Sequence, residues 1–166
     1  MKTALIIIDV QNILVETGFE TEKLLEKIAY LQDQARKQQI EIIYMQHIET
    51  PEALTSEDWQ LSPLLNRQEN EKVFQKRYNS MFKETGLKEY LDQQGIEHLV
   101  LCGMQTEYCV DTSIKVGFEY GYKLVIPEGV VTTFDGEDIP AETLNEFYEN
   151  IWEERFADVL DYKTIF

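Results

Sequence analysis

Short hydrophobic runs divide the chain into predicted strands separated by predicted helices. The first run, Ala4–Val10, reads ALIIIDV and is apolar at almost every position. Continuous runs rich in β-branched residues are typical of strands that are buried on both faces of a parallel sheet. Further runs predict four more strands and a short sixth one, at Ile40–Gln46, Lys72–Lys76, Glu97–Gly103, Tyr122–Pro127 and Ala157–Asp161.

Between these runs, apolar residues recur at the spacing of an amphipathic helix. Leu24, Ile28 and Leu31 lie three or four positions apart and predict a helix from Thr21, its N-cap, to Gln38. The same reasoning predicts three further helices, at Thr85–Gln94, Thr106–Tyr120 and Pro140–Arg155.

Alternating strands and helices predict a single α/β domain over residues 1–166. The expected architecture is a three-layer, doubly wound, Rossmann-like fold with a mostly parallel sheet of five to six strands and helices on both faces. The segment from His47 to Glu71 has no clear period, and long excursions of this kind often cover an active site. Ligands of such sheets bind beyond the carboxyl ends of the strands.

Charge and composition exclude several classes of partner. The chain has 15 basic and 31 acidic residues, a formal net charge of −16, which disfavours nucleic-acid binding. It contains no apolar run of about 20 residues, so no membrane association is predicted. Asp9 interrupts the first apolar run, and we interpret that run as a strand and not as a signal peptide. Two cysteines make no disulfide framework, and a cytoplasmic protein with free thiols is expected.

The two cysteines lie in different predicted surroundings. Cys102 falls inside an apolar strand, where a neutral and unreactive thiol is expected. Cys109 falls in the first turn of the helix predicted from Thr106, where free N–H groups and the helix dipole favour a thiolate. The alternative for Cys109 is a small core residue that faces the sheet.

Two charged residues at the ends of two other predicted strands strengthen the catalytic interpretation. Asp9 ends an apolar strand, where an unpaired charge is costly, and Lys76 ends another strand. A carboxylate, an ammonium and a thiol that meet in one crevice form a nucleophile with its base. The strand ends lack the glycines of a dinucleotide fingerprint or a P-loop, and no cofactor is predicted. A flavodoxin-like binding module is a further alternative.

Several stretches, in order along the chain, carry a resemblance to a known family. They read ALIIIDVQN, YMQHIE, VFQKRYNSMF and GIEHLVLCGMQTEYCVDTSIKVGFEYGYKLVIPEGVVTTFD. The chain resembles the isochorismatase-like cysteine hydrolases, a group that includes nicotinamidases and N-carbamoylsarcosine amidohydrolase. The resemblance covers nearly the whole chain and is loose after about Gly136.

The resemblance implies a catalytic set of Asp9, Lys76 and Cys109. It also implies a cis peptide bond between Met104 and Gln105, with the N–H groups of Gln105 and Cys109 holding an oxyanion. The implied activity is metal-independent hydrolysis of a carbon–nitrogen bond in a small amide-type substrate through a thioester. Family members also imply a homodimer or homotetramer. The alternatives are an isochorismatase, which lacks the nucleophile, and a non-catalytic domain with an assembly role.

The second strand end bears on metal binding and on the pocket. Nicotinamidases of this family hold a metal with an Asp-x-His pattern there, whereas this chain reads QHIET, so neither a metal nor nicotinamide is expected. His47 is a candidate for substrate contact, and a Cys–His pair as in thiol proteases is a rival use of it. Further candidates for substrate contact are Asn12, Trp59, Tyr78 and Phe82, and core packing is the alternative for the three aromatic residues.

Overall fold

Seven parallel strands form one sheet in a computed structural model that describes residues 1–166. The strands are β1 Lys2–Ile8, β2 Glu41–His47, β3 Lys72–Lys76, β4 Ile96–Met104, β5 Lys123–Pro127, β6 Val131–Thr132 and β7 Asp158–Leu160. Their order across the sheet is β3-β2-β1-β4-β5-β7, and β6 pairs with β4. The first, second, third and fourth strands therefore lie side by side, and their carboxyl ends share one edge.

Five α-helices connect and flank the strands. They are α1 Asn12–Thr17, α2 Thr21–Lys37, α3 Leu87–Gln94, α4 Asp111–Glu119 and α5 Ala141–Trp152. A π-helical turn over Thr106–Val110 precedes α4, and short 3-10 helices occupy much of the segment after β2. No helix combines the length and the apolar character that crossing a membrane would require.

Alternate residues of β1 pack into two separate hydrophobic cores, one on each face of the sheet. Ala4, Ile6 and Ile8 pack into one core with residues of α3, α4 and α5, while Leu5 and Ile7 pack into another with α2. All five side chains are fully buried, as expected for a central strand with helices on both faces. The three-layer α/β fold predicted from the sequence is confirmed.

The predicted number of five to six strands is too low. The missing strand is β6, whose two residues pair with Gly103 and Met104 of β4 beyond the end of β5. A strand of two residues has no periodic pattern that a sequence can reveal. The six-residue helix α1 was also missed, and it has no buried residue that would mark an apolar face.

A close approach of β1 and β4 shapes the edge at which the strands end. Gly103 has φ +123°, and a Cβ atom there would lie 2.1 Å from the carbonyl oxygen of Ile8. Only glycine fits this contact and this backbone conformation. The approach brings the chain after β4 against the chain after β1, which begins with Asp9.

Candidate active site

Lys76, the last residue of β3, contacts residues that follow two other strands of the sheet. Its Nζ lies 2.9 Å from Oδ2 of Asp9, directly after β1, and 3.1 Å from Sγ of Cys109, in the turn after β4. Asp9 and Lys76 are each 1% exposed, and Cys109 is 8% exposed. The carboxylate, ammonium and thiol that the sequence places at separate strand ends thus meet in space.

Two further acceptors fix the Lys76 ammonium in place. Nδ1 of His47, the last residue of β2, lies 3.0 Å from Nζ, and the carbonyl oxygen of Tyr78 lies 2.9 Å away. An ammonium has three N–H donors, so these four neighbours share them. The positive charge is therefore held among the acidic and sulfur groups and has no freedom to turn toward solvent.

Asp9 keeps one oxygen free for chemistry. Its backbone adopts φ +51°, a left-handed conformation that aspartate tolerates better than most residues, and its N–H donates to the carbonyl oxygen of Met45. Oδ2 is paired with Lys76, whereas Oδ1 is buried without a hydrogen-bond partner. A carboxylate oxygen of Asp9, a ring nitrogen of His47 and the Cys109 sulfur all lie within 4.8 Å of one another.

Burial sets the protonation of the thiol and the carboxyl group. Desolvation raises the pKa of the Asp9 carboxyl above its ordinary value, and the charge of Lys76 opposes that shift. Desolvation and the nearby Asp9 charge together raise the pKa of Cys109 to about 12, although Lys76 acts in the opposite direction. Burial and the Asp9 charge therefore oppose the thiolate that the helix start was expected to favour. A base beside the Cys109 thiol would offset this opposition when the sulfur reacts.

Cys102 is set apart from this chemistry. It lies on β4 with no exposed surface and packs in the core beside α2, while Cys109 borders the core on the other face of the sheet. Burial alone raises the pKa of the Cys102 thiol, and no charged group faces it. The environment is that of an inert core thiol.

A buried glutamine that the sequence reasoning missed joins the second strand to the excursion that follows it. The side-chain amide of Gln11 donates to the carbonyl oxygens of His47 and Trp59, and its oxygen accepts from the His47 N–H at 2.8 Å. Gln11 has no exposed surface. The signal for this contact in the sequence is a polar glutamine in a buried segment, two positions after Asp9. A buried amide needs hydrogen-bond partners, which here are backbone groups of His47 and Trp59.

Side-chain hydrogen bonds also anchor the turn that carries Cys109. Oγ1 of Thr106 donates to Oδ1 of Asn145 on α5 at 2.6 Å. Oγ1 of Thr133 donates to Oε1 of Glu107 and also lies 3.2 Å from Oε1 of Gln105. The peptide bond between Met104 and Gln105 is cis.

A crevice of about 230 Å³ opens above this cluster. Asp9, His47 and Cys109 form its floor, and Trp59 and Gln105 lie along its walls. Its other lining residues are Leu14, Glu49, Asn79 and Tyr108, none of which the sequence reasoning had selected. Asn79 follows β3 closely, and its Oδ1 lies 3.9 Å from the Cys109 sulfur.

Three of the predicted substrate contacts are absent from the crevice lining. Phe82 is buried in the core and stacks on Tyr122 with ring centroids 5.8 Å apart. The ring of Tyr78 lies under the ammonium of Lys83 at 4.1 Å, and only its carbonyl group reaches Lys76. The amide of Asn12 donates to the carbonyl oxygen of Glu57. Closeness to Asp9 or Lys76 along the chain did not fix the direction of these side chains.

The rival uses of His47 fit this arrangement poorly. Its Nδ1 faces Lys76 and its Nε2 lies 3.0 Å from Oε1 of Glu49, so both ring nitrogens are already engaged. A metal held by Asp9, His47 and Cys109 would have to share its ligands with the Lys76 ammonium, which lies within 3.1 Å of an atom of each. The lysine already supplies the positive charge at this point.

Comparisons with known proteins identify the family to which this chain is similar. Residues 3–163 match the model of the isochorismatase domain. An isochorismatase from Pseudomonas putida KT2440 has 29% identity and a TM-score of 0.92, over 99% of this chain and 90% of that one. Streptothricin hydrolase of Streptomyces noursei is 29% identical over 83% of this chain and 51% of its own. Ureidoacrylate amidohydrolase RutB of Klebsiella pneumoniae is 37% identical over 43% of this chain and 30% of its own.

These matches differ in how much they cover. This chain spans about half the length of the streptothricin hydrolase that it matches, and a smaller part of the amidohydrolase. The domain model and the solved structure, in contrast, extend over almost the whole chain. On its sequence and its fold, the chain belongs to the isochorismatase family.

Proposed function

We propose that the chain is a cysteine hydrolase that cleaves the carbon–nitrogen bond of a small amide-type molecule through a thioester on Cys109. The observation that carries the proposal is the position of Lys76 Nζ, which lies within 3.1 Å of both the Asp9 carboxylate and the Cys109 sulfur. A nucleophile, a base and a fixed positive charge at one crevice are what acyl transfer needs.

The first step joins a proton transfer to an attack on the substrate carbonyl. Asp9 accepts the Cys109 proton on its free oxygen, Oδ1, as the sulfur bonds to the carbonyl carbon. The raised pKa of the Asp9 carboxyl makes it a better base than an ordinary aspartate. The N–H groups of Gln105 and Cys109 are proposed to receive the oxyanion, and Lys76 balances the negative charge at the floor.

The remaining steps return the site to its starting state. Asp9 gives its proton to the departing amine as the carbon–nitrogen bond breaks, which leaves a thioester. Water then adds to the thioester and passes a proton to Asp9. The carbon–sulfur bond breaks, the carboxylic acid leaves, and Asp9 returns that proton to the Cys109 sulfur. Each step uses a residue at the floor of the crevice, and no metal is required in this scheme.

Two relatives support the class of reaction. One is described as a streptothricin hydrolase and the other as an ureidoacrylate amidohydrolase, so both are hydrolases by description. Because this chain covers 51% of the first and 30% of the second, their substrates are not carried over to it. What we propose to share is the reaction at the carbonyl–nitrogen bond.

The decisive experiment measures release of ammonia or amine from a panel of small amides, ureas and carbamoyl compounds. We expect turnover by the unmodified protein, none by Cys109→Ala, and nearly unchanged turnover by the matched variant Cys102→Ala. Intact-protein mass spectrometry after rapid acid quenching should find an acyl adduct that is absent from Cys109→Ala. Turnover that survives Cys109→Ala, or an inactive protein across the panel, would refute the proposal.

A further inference from the structure

One acidic side chain of the crevice has no role in the proposed chemistry. Glu49 lines the crevice next to the floor, and its side chain is 70% exposed. Oε1 lies 3.0 Å from Nε2 of His47, and Oε2 makes no hydrogen bond. The carboxylate is therefore tethered at the mouth of the crevice with one oxygen open to a ligand.

The Lys76 ammonium determines which residue donates the hydrogen bond between His47 and Glu49. An ammonium only donates, so Nδ1 of His47 must accept from Lys76 at 3.0 Å. A neutral imidazole that accepts at one nitrogen carries its proton on the other, so Nε2–H points to Glu49. His47 thus donates a hydrogen bond to Glu49 without neutralising its charge.

The other walls of the crevice suit a cation. Asp9 and Glu49 are its acidic residues, and no lysine or arginine lines it. The charge of Asp9 is compensated by Lys76, whereas Glu49 has no ion-pair partner beyond the neutral imidazole. Trp59 and Tyr108 add two aromatic rings, and the faces of such rings attract organic cations.

We propose that Glu49 selects substrates that carry a positive charge near the scissile carbonyl, such as an amine or a quaternary ammonium group. This inference rests on the proposed hydrolase function and names the substrate class for the same crevice. The net charge of −16 also attracts cationic substrates at long range. Salt screens this long-range attraction more strongly than it screens the contact with Glu49 itself. Anionic substrates meet repulsion from both.

Charged thiol reagents test this selection without requiring hydrolysis. Cys109 is modified with two methanethiosulfonates, one carrying a trimethylammonium group and the other a sulfonate group. The ratio of the cationic to the anionic rate is then divided by the same ratio measured with 2-mercaptoethanol as the thiol. We expect a normalised preference for the cation of about tenfold or more, reduced about three- to tenfold by Glu49→Gln. Glu52→Gln removes the same charge from an exposed residue outside the crevice and should keep the native ratio.

Matched amides then separate this inference from the function on which it depends. The series shares one scissile amide and ends in a trimethylammonium, a tert-butyl or a carboxylate group. We expect the cationic member to have the highest kcat/KM, and Glu49→Gln to lower the ratio of cationic to neutral kcat/KM most of the way to one. Equal turnover of all three would overturn the selection and leave the hydrolase intact. A labelling ratio near one, or one that Glu49→Gln leaves unchanged, would also overturn it, whatever the panel shows.

Discussion

The carboxylate of Asp9 and the ammonium of Lys76 form an ion pair of 2.9 Å in which both side chains are almost wholly buried. The two residues end strands that are separated in the sheet by β2. Such a pair contributes little to stability when it is intact, because desolvation of the two charges offsets their attraction. Removal of one partner is destabilising, because it leaves the other charge buried and unpaired. The pair therefore adds little to stability, and its main effect is to hold the Asp9 carboxylate, the proposed base, in place.

Replacement of Lys76 by methionine should destabilise the protein by about 3–5 kcal/mol, because it leaves the Asp9 carboxylate buried and unpaired. Urea unfolding at neutral pH measures the loss. The double variant Lys76→Met with Asp9→Asn should recover much of the stability, since both charges are then gone. Simple addition of the two single effects would contradict this coupling.

Replacement of Asp9 by asparagine should make Cys109 easier to alkylate even as hydrolysis is lost. The Asp9 charge raises the pKa of the Cys109 thiol to about 12 together with burial, so its removal lowers that pKa and leaves Lys76 to stabilise the thiolate. At pH 8 we expect iodoacetamide to react about three- to tenfold faster with the variant than with the unmodified protein.

The control for this measurement is Cys109→Ala, which reports any reaction at the buried Cys102. Alkylation of the unmodified protein should still be rising at pH 10. A plateau near pH 7, or slower alkylation after Asp9→Asn, would mean that Asp9 does not raise the pKa of the thiol.

Gln11→Met should lower kcat/KM by about tenfold or more while the protein still folds. The change removes the side-chain hydrogen bonds that hold His47 and Trp59, two residues of the crevice, and leaves buried backbone groups unpaired. The cost to stability should be about 1–3 kcal/mol. Asn12→Ala removes an amide bonded to the same excursion outside the crevice, and it should affect activity less than twofold.

Glu71 should make folding stability depend on acid pH. Burial alone would raise its pKa, but hydrogen bonds from Arg36, the Gln68 N–H and Tyr44 outweigh burial and hold the pKa below its ordinary value. A lowered pKa in the folded state means that the stabilisation is complete above the unfolded pKa, about 4.3, and disappears as the pH falls through the folded value.

Glu71→Gln tests this dependence by chemical denaturation between pH 7 and pH 3. At pH 7 the variant should be less stable by about 1–3 kcal/mol, and the difference should shrink on acidification. Glu69→Gln, an exposed neighbour, should leave the profile unchanged. A difference that stays constant across the range would exclude a shifted pKa at Glu71.

The sequence predicted most of the fold because buried parallel strands have a strong signature. β1 and β4 are continuous apolar runs, and parallel connection puts their carboxyl ends at one edge, which placed Asp9 and Cys109 together. β6 and α1 escaped prediction because neither is long enough, or buried enough on one face, to show a period. Oligomeric state and localisation stay predictions.

Side-chain direction was the part of the site that the sequence could not supply. Tyr78 and Phe82 follow Lys76 closely, yet one ring packs under Lys83 and the other in the core. Glu49 reaches the crevice from an irregular segment, and Tyr108 reaches it from the π-helical turn after β4. Neither segment shows a hydrophobic repeat that tells which way a residue faces. The protonation of Cys109 also depended on burial and on a charge from another strand, neither of which is local.

The sheet that runs between the two cores also separates the two sulfur atoms. Cys102 packs on the side of α2, and Cys109 on the side of α3, α4 and α5. An internal disulfide would have to pass through the sheet, so this chain has no resolving partner for an oxidised nucleophile. A sulfenic acid formed on Cys109 by peroxide would therefore have to be reduced by an external thiol and not by Cys102.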